Sequence, residues 1–336
     1  MKPTTDGTEY AMPHDHSHQD SGHREGDGRV HGPADTPTPT HGHGHTHGHG
    51  HGHHQGPGTD FDWDALAAHL EREAELRAPA VTEAARWLRG LLDGVAVDRV
   101  LDVGSGPGVI AGLLADAFPS AEVVAVDQSA ALLDRARARS AGRITTQQAD
   151  LPDDFTALGA ADLIWSANAI HHLGDQQAAL TALAGALRPG GLLAVVERGL
   201  PARFLPRDLG LGRPGLQARL DAAHEDTFSG MRAELPGSVA TVEDWPAMLA
   251  AAGLVPSGTR TFLADRPAPL DGPAREYLHV SLARRRDQLA EQLDADDRAV
   301  LDALLDPEAP TGILTRPDAF YLTAVTVHTA RATGPR

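Results

Sequence analysis

Val-Leu-Asp-Val-Gly-Ser-Gly-Pro-Gly-Val-Ile, at residues 100–110, passes from apolar side chains through an aspartate into a cluster of glycines. An apolar, helix-compatible stretch from Val109 to Ala117 follows. This order predicts a buried strand, a tight loop and the start of a helix. Because glycine has no Cβ atom, a ligand can lie against the loop backbone, and the first helical amides are free to bind an acidic group. Asp102 adds a negative charge where a cationic ligand or an amine can bind.

The glycine spacing separates this loop from a dinucleotide fingerprint. That fingerprint is G-x-G-x-x-G, with a wide turn for a pyrophosphate. Here the third glycine comes one residue early, and Pro107 stiffens the loop. A second apolar run, from Glu122 to Val126, ends at Asp127. An acid at the end of the second strand of such a unit commonly accepts hydrogen bonds from ribose hydroxyls.

Three further segments continue an alternation of strands and helices, at residues 147–150, 161–173 and 187–197. The strands predicted between Arg99 and Arg198 are 99–103, 123–127, 143–147, 163–166 and 192–197. Such alternation predicts a parallel sheet with right-handed crossovers, in which ligands bind at the carboxyl ends of the strands.

With these five segments in order, the chain resembles the class I S-adenosylmethionine-dependent methyltransferases, over about residues 80–200 and more loosely over 240–331. The resemblance implies a Rossmann-like α/β fold, with a mostly parallel seven-stranded sheet and helices on both faces, and S-adenosylmethionine as the cofactor. It also implies cofactor contacts at the strand ends. These would be Asp102, Gly104, Ser105 and Gly106 at the methionine end, Asp127 at the ribose, Gln128, Ser129, Asp150 and Leu151 at the adenine, and Asn168 and Ala169 facing the sulfonium.

Candidates for acid–base chemistry follow the fourth and fifth strands. Methyl transfer is an in-line displacement, and a base is needed only when the acceptor must lose a proton. His171 and His172 are the candidate bases, although such a pair also serves the family as a helix-start and packing element. We expect Glu197 to line the pocket, with capping of the next helix as the alternative. We expect His224 to lie on an exposed polar helix face, with contact to the substrate as the alternative.

Composition excludes several kinds of chemistry. The chain has no cysteine, which removes cysteine nucleophiles, disulfides and thiolate metal sites, and Lys2 is its only lysine. No tight acidic cluster of the kind that magnesium prefers accompanies His171, His172 and His224, so we expect no required metal in the catalytic domain. The net charge of −17, without a basic stripe, argues against nucleic-acid binding.

Two regions are predicted from composition. Residues 1–59 hold thirteen of the nineteen histidines and are predicted to be a disordered tail before a domain at 60–336. Within that domain we expect two N-terminal helices, the second starting at Pro79, which could pair between subunits in a homodimer. Residues 200–240 and 266–318 are interpreted as inserted covers over the substrate pocket.

The tail is a candidate for loose metal binding. Neutral imidazoles on a flexible chain bind nickel, zinc or copper readily at neutral pH, and a charge-tunable solubility tail is the alternative. The histidines of its densest part are His41, His43, His45, His47, His49, His51, His53 and His54.

The function predicted from sequence is methyl transfer to a small molecule at an oxygen, nitrogen or carbon atom. No apolar run approaches the length of a membrane span, and Met1 to Tyr10 is polar, so we expect a cytoplasmic protein that does not bind membranes. Two alternatives stay open: a protein of this fold that binds the cofactor without transferring its methyl group, and a metal-handling protein that works through the tail.

Deletion of residues 1–59 separates these alternatives. We expect the shortened chain to keep its affinity for S-adenosylmethionine, because every cofactor motif lies beyond residue 99, and to lose the nickel or zinc capacity of the full chain. Calorimetric titration of each ligand into both proteins measures the two effects. An unchanged metal stoichiometry would contradict the tail site, and lost cofactor affinity in a folded protein would contradict the assignment of the cofactor motifs.

Overall fold

A computed structural model of the chain describes residues 63–197 and 199–334. These residues belong to a single structural unit within 50–336. The predicted His-rich tail, its disorder and its metal binding lie outside the described residues. No helix in the described ranges is long and apolar enough to cross a membrane.

Strands and helices alternate through the first half of the domain. After an N-terminal helix, α1 (Trp63–Leu91), come β1 (Arg99–Val103), α2 (Val109–Ala117), β2 (Glu122–Asp127), α3 (Ala130–Ser140), β3 (Thr145–Gln148), β4 (Ala161–Ala167), α4 (Gln176–Gly185) and β5 (Leu187–Val196). Short 3-10 turns occupy Phe155–Leu158 and Ile170–His172. The remaining elements are α5 (Leu216–Glu234), α6 (Trp245–Ala251), β6 (Val255–Arg266), α7 (Gly272–Gln288), α8 (Ala295–Leu305) and β7 (Tyr321–Arg331).

The seven strands form one sheet in the order β3-β2-β1-β4-β5-β7-β6. Strands β1 to β5 pair in parallel, and β7 runs antiparallel to both of its neighbours. The prediction of a mostly parallel seven-stranded sheet is confirmed, and all five strands predicted before residue 198 are found within a few residues of their predicted ends. Because the order reverses beside β1, a crevice opens at the carboxyl ends of β1 and β4.

Both faces of the sheet are covered by helices. Successive side chains of a strand point to opposite faces. Accordingly, Val100 and Trp165 join the core that packs under α1, α2 and α7, whereas Leu101 and Ile164 join the core under α4 and α6. All four side chains are fully buried. Burial on both sides explains why these strands read as continuous apolar runs rather than as alternating patterns.

The prediction of two N-terminal helices is wrong, because α1 continues through Pro79. A proline inside a helix costs about 3 kcal/mol, since it leaves the carbonyl four residues earlier without its helical donor. That carbonyl belongs to Glu75, and Arg266 Nη2 donates to it at 3.5 Å from the end of β6. Packing supplies the rest of the compensation, through the fully buried side chains of Ala80, Val81, Ala84 and Leu88.

The two predicted covers contain helices that are tied to each other. Residues 200–240 hold α5, and 266–318 hold α7 and α8. The Asp221 carboxylate of α5 forms an ion pair with Arg285 of α7 at 3.0 Å. Asp297 of α8 is buried and accepts from Arg219 Nε of α5 at 2.6 Å. The covers therefore form one connected layer.

Replacement of Gly108 by alanine tests the packing between the glycine loop and α3. Gly108 has a φ of 75°, and a Cβ atom there would lie 2.5 Å from the Cβ of Ala136. Gly142 is the matched control, because its φ is 83° and nothing lies within 4 Å of its would-be Cβ. We expect Gly142→Ala to lower the free energy of unfolding by about 1 kcal/mol through backbone strain alone. Gly108→Ala should lose roughly 1–3 kcal/mol more through overpacking. Urea denaturation measures both, and equal losses would contradict the packing argument.

Candidate functional site

The glycine loop folds back against the ends of two neighbouring strands. The amides of Gly104 and Ser105 both donate to the carbonyl oxygen of Val126, at 2.9 Å each. Gly104 has a φ of 77°, and a Cβ atom there would overlap the Cβ of Ala169 in the turn after β4. Only glycine satisfies both the left-handed backbone and this close approach.

Asp127 fastens the loop from the end of β2. Its Oδ2 accepts from the amide of Gly106 at 2.8 Å, and its Oδ1 accepts from the amide of Ser129 at 2.9 Å. Charge-assisted bonds of this kind are stronger than those between neutral groups. Sequence reasoning assigned Asp127 to a ribose and missed its second role of holding the glycine loop. No local sequence signal at Asp127 or Gly106 reveals that contact. The ribose contact stays a prediction.

Asp102 is the unusual group of the site. Its side chain is buried, and its Oδ2 has no hydrogen-bond partner in the described part of the chain. Burial, together with the nearby charge of Asp127, raises the pKa of Asp102 to about 7, although a hydrogen bond from the Ala111 amide opposes the shift. A buried carboxyl oxygen that lacks a donor is costly, so the position of Oδ2 beside an open loop indicates a ligand that donates to it.

The other predicted cofactor residues lie along the same edge of the sheet. Parallel register aligns the ends of β1, β2, β3 and β4, since Val103 pairs with both Val126 and Ser166. Just past these ends, Gln128, Asp150 and Asn168 are exposed, Leu151 is half-buried and Ser105 is buried. Asn168 adopts a left-handed φ of 51°, which turns the chain away from β4. The structure thus brings the predicted residues to one edge, as the topology of an open α/β sheet requires.

Glu197 departs from its prediction. Its side chain is completely buried, and Oε1 accepts from the amides of Ala169 at 2.9 Å and Ile170 at 2.7 Å. Its Oε2 lies 2.5 Å from His171 Nδ1. The expectation that Glu197 lines the pocket is therefore wrong. The reason is that the amides of a tight turn need acceptors, and the end of the adjacent strand supplies a carboxylate.

His171 is held in a fixed orientation by these contacts. Because Nδ1 faces the Glu197 carboxylate, a neutral ring carries its proton there and leaves Nε2 as the acceptor. The ring packs against Phe228 of α5, with centroids 5.3 Å apart, and Arg232 of α5 donates to the His171 carbonyl oxygen at 2.7 Å.

His172, the second candidate base, is exposed, and the centroid of its ring lies 4.2 Å from that of His171. Among residues 63–197 and 199–334, no three His, Asp or Glu side chains converge as metal ligands.

A cavity of about 200 Å³ lies between α1, the two covers and the start of β7. The side chains that define its chemistry are His69, Glu73, His224, Tyr277, Arg284 and Tyr321. His224 is half-buried on the cavity wall, so the expectation of an exposed position for it is wrong. The cavity residues of α1 and α7 carry no sequence motif, which is why sequence analysis missed them.

Similarity to known proteins centres on the same strands. Residues 100–191 match a family model described as a methyltransferase domain. A trans-aconitate 2-methyltransferase of Methylobacterium nodulans is 33% identical over 224 residues, which cover 60% of this chain and 82% of the relative. One of Deinococcus radiodurans is 37% identical over 111 residues, 33% of this chain and 42% of the relative. The chain spans between 24% and 45% of the length of four curated relatives that it matches.

Among solved structures, an O-methyltransferase family protein of Burkholderia thailandensis is 20% identical, at a TM-score of 0.42. The alignment covers 59% of this chain and 55% of that one. A likeness this loose carries no argument about function.

Sequence similarity and topology agree on the family. The match to the family model begins in β1 and ends in β5, so it contains the glycine loop, Asp127 and the turn after β4. The relative from Methylobacterium nodulans is matched over most of its own length. The chain therefore belongs to the class I S-adenosylmethionine-dependent methyltransferases.

Proposed function

We propose that this protein transfers the methyl group of S-adenosylmethionine to a small-molecule acceptor. The observation that carries the proposal is the buried Asp102 Oδ2, which has no hydrogen-bond partner among the described residues and lies beside the open glycine loop. A cationic amine bound there offsets the cost of burying the carboxylate. The methionine end of S-adenosylmethionine carries such an amine, so the residues fit the cofactor.

The remaining cofactor contacts follow from position along the carboxyl edge. Asp127 ends β2, where a carboxylate reaches ribose hydroxyls. We assign the adenine to the exposed surface at Gln128, Asp150 and Leu151, and the sulfonium to the neighbourhood of Asn168. These assignments rest on the family pattern and on the shared edge of the sheet.

The chain itself contributes alignment, exclusion of water and control of protons. When bound, the cofactor supplies a methyl group on a positively charged sulfur, and the acceptor atom attacks in line with the bond that breaks. A hydroxyl or amine acceptor that must lose a proton needs a base. His171 is the residue oriented for that task, because Glu197 fixes its Nδ1 and leaves Nε2 to accept a proton.

We further propose that the acceptor is a small carboxylic acid. Several relatives bear the name trans-aconitate 2-methyltransferase, which supports this class. A carboxylic acid with an ordinary pKa of about 4 is ionised at neutral pH, so its oxygen attacks without a base. On this proposal, His171 and Glu197 shape the turn beside the reaction site rather than move a proton.

The nature of the product tests the proposed function. The full chain, supplied with methyl-labelled S-adenosylmethionine and trans-aconitate, should form a methyl ester, from which mild alkali releases the label as methanol. We also expect His171→Gln to retain a rate within about tenfold of the wild type, since loss of a true general base costs about 10²–10⁴-fold.

An alkali-stable methyl group would place the label on nitrogen, carbon or an ether oxygen and would overturn the carboxylate acceptor. Binding of the cofactor without transfer to any acid, alcohol or amine offered would favour a cofactor-binding protein that is not a transferase.

Asp102→Asn tests the cofactor assignment through pH. The folded pKa of Asp102, about 7, lies above its unfolded value, so the folded state holds the extra proton and wild-type stability falls as pH rises from about 4 to 7. The asparagine removes this cost. The variant should therefore gain about 2 kcal/mol of stability over the wild type between about pH 5 and pH 8 when no ligand is bound.

The same variant should bind S-adenosylmethionine at least about tenfold more weakly near pH 8, because a charged acceptor for the amine is lost. Urea denaturation and calorimetric titration at the two pH values measure these opposite effects. Equal cofactor affinity of wild type and variant near pH 8 would contradict the role of Asp102.

A further inference from the structure

We propose that the cavity between α1, α5 and α7 binds the acceptor, and that Arg284 anchors one carboxylate of an acid that carries at least two. This inference rests on the proposed methyl transfer and assigns its substrate site. It distinguishes two carboxylates by role, one bound by the arginine and one that attacks the methyl group.

The cavity adjoins the cofactor edge through two helices. On α1, Leu70 Cδ1 lies 3.9 Å from the position that a Cβ atom of Gly106 would occupy, and the preceding residue, His69, lines the cavity. On α5, His224 lines the cavity, and Phe228, about 6 Å farther along the helix, contacts the ring of His171. One helix thus joins the cavity to the glycine loop, and the other joins it to the turn after β4.

The floor of the cavity lies on the same side of the sheet. Tyr321 is the first residue of β7, and it pairs with Arg266, the last residue of β6. Because β7 is antiparallel to β5 and His328 pairs with Val195, Tyr321 lies seven residues past that pair, beyond the carboxyl end of β5 and next to the bridge between Arg203 and Leu322. Tyr321 is fully buried and lines the cavity, so the cavity lies beyond the carboxyl end of β5, next to the first cover.

One positively charged side chain that lines the cavity has no ion-pair partner among the described residues. Glu73 forms an ion pair with Arg77 at 2.7 Å, and Arg285 forms one with Asp221 at 3.0 Å. Arg284 is half-buried and takes part in no hydrogen bond or ion pair with any described residue. A guanidinium group presents two parallel N–H donors that match a carboxylate, so an acid in the cavity would satisfy it.

Two aromatic rings of the cavity lining are neutral. The rings of His69 and Tyr277 stack at 4.9 Å with an interplanar angle of 17°. Burial and the positive charge of Arg284 lower the pKa of His69, so its ring is uncharged at neutral pH, and burial raises the pKa of Tyr277, which keeps its hydroxyl protonated. Neutral aromatic rings beside one cation that has no ion pair among the described residues suit a compact acid, and about 200 Å³ is too small for a macromolecular segment.

The chemistry of transfer requires two carboxylates. A carboxylate bound by a guanidinium is a weakened nucleophile, because the arginine holds its lone pairs. A second, unbound carboxylate therefore attacks. Its oxygen forms a bond to the methyl carbon as the carbon–sulfur bond breaks, and the electron pair stays on sulfur. The products are a monoester, which keeps the negative charge of the anchored carboxylate, and S-adenosylhomocysteine, whose sulfur is neutral, and no proton moves.

Arg284→Gln in the full chain tests the anchor, with Arg286→Gln as its matched control. Arg286 lies on the same helix but pairs with Asp287 and Asp302, at 3.0 and 3.3 Å, and does not line the cavity. With trans-aconitate as the probe, Arg284→Gln should raise KM by about tenfold or more, keep kcat within about threefold and leave cofactor affinity unchanged. Arg286→Gln should change none of the three.

Calorimetric titration of trans-aconitate in the presence of S-adenosylhomocysteine separates the anchor from the transfer. If the wild type binds the acid without methylating it, and Arg284→Gln abolishes that binding, the anchor stands while the proposed transfer to this acid fails. If the wild type methylates trans-aconitate and Arg284→Gln has an unchanged KM, or both variants lose affinity equally, the anchor is overturned. Absence of both binding and turnover would overturn the two together.

Discussion

Backbone amides at the carboxyl edge of the sheet need acceptors, and two carboxylates from neighbouring strand ends supply them. Asp127, at the end of β2, holds the glycine loop that follows β1. Glu197, just past β5, holds the turn that follows β4 and orients His171 within it. In both cases, the strand beside a loop stabilises that loop. The shape of the crevice therefore depends on strand order, because a different neighbour would place a different side chain at each turn.

Asp102 shows the opposite use of the same residue type. Oδ2 of Asp162, at the other end of the sheet, accepts from the amides of Asp98 and Arg99 and from the guanidinium of Arg188. Asp102 is also buried, but its Oδ2 has no partner among the residues that the structure describes, and its pKa is raised. A buried carboxyl oxygen without a hydrogen-bond donor does not stabilise the fold. Buried polar groups of this kind concentrate at functional sites. The contrast distinguishes an aspartate that serves the architecture from one that awaits a ligand.

Ion pairs within the covers also determine which charge is available to the proposed acceptor. The Asp221 carboxylate ties α5 to α7, and Asp297 ties α8 to α5, so the layer over the sheet is held by ion pairs between segments distant in sequence. Most of the arginines near the cavity take part in such ion pairs. Arg284 faces the cavity without such a partner, which is why its charge is available to an acid. The specificity of this site thus depends on which arginine the packing of the covers leaves without an ion-pair partner.

Local sequence signals were enough to predict the sheet, the glycine loop and the strand-end acids, because apolar runs mark strands buried on both faces and clustered glycines mark a tight loop. The sequence placed Asp102 and Asp127 correctly at the ends of β1 and β2. It did not predict that α1 passes through Pro79, since the donor to the freed carbonyl comes from Arg266, far along the chain. It also misjudged Glu197 and His224 and gave no sign of Arg284. These features depend on three-dimensional packing, because whether a polar side chain is hydrogen-bonded, buried or exposed to a cavity is set by residues that are distant in sequence.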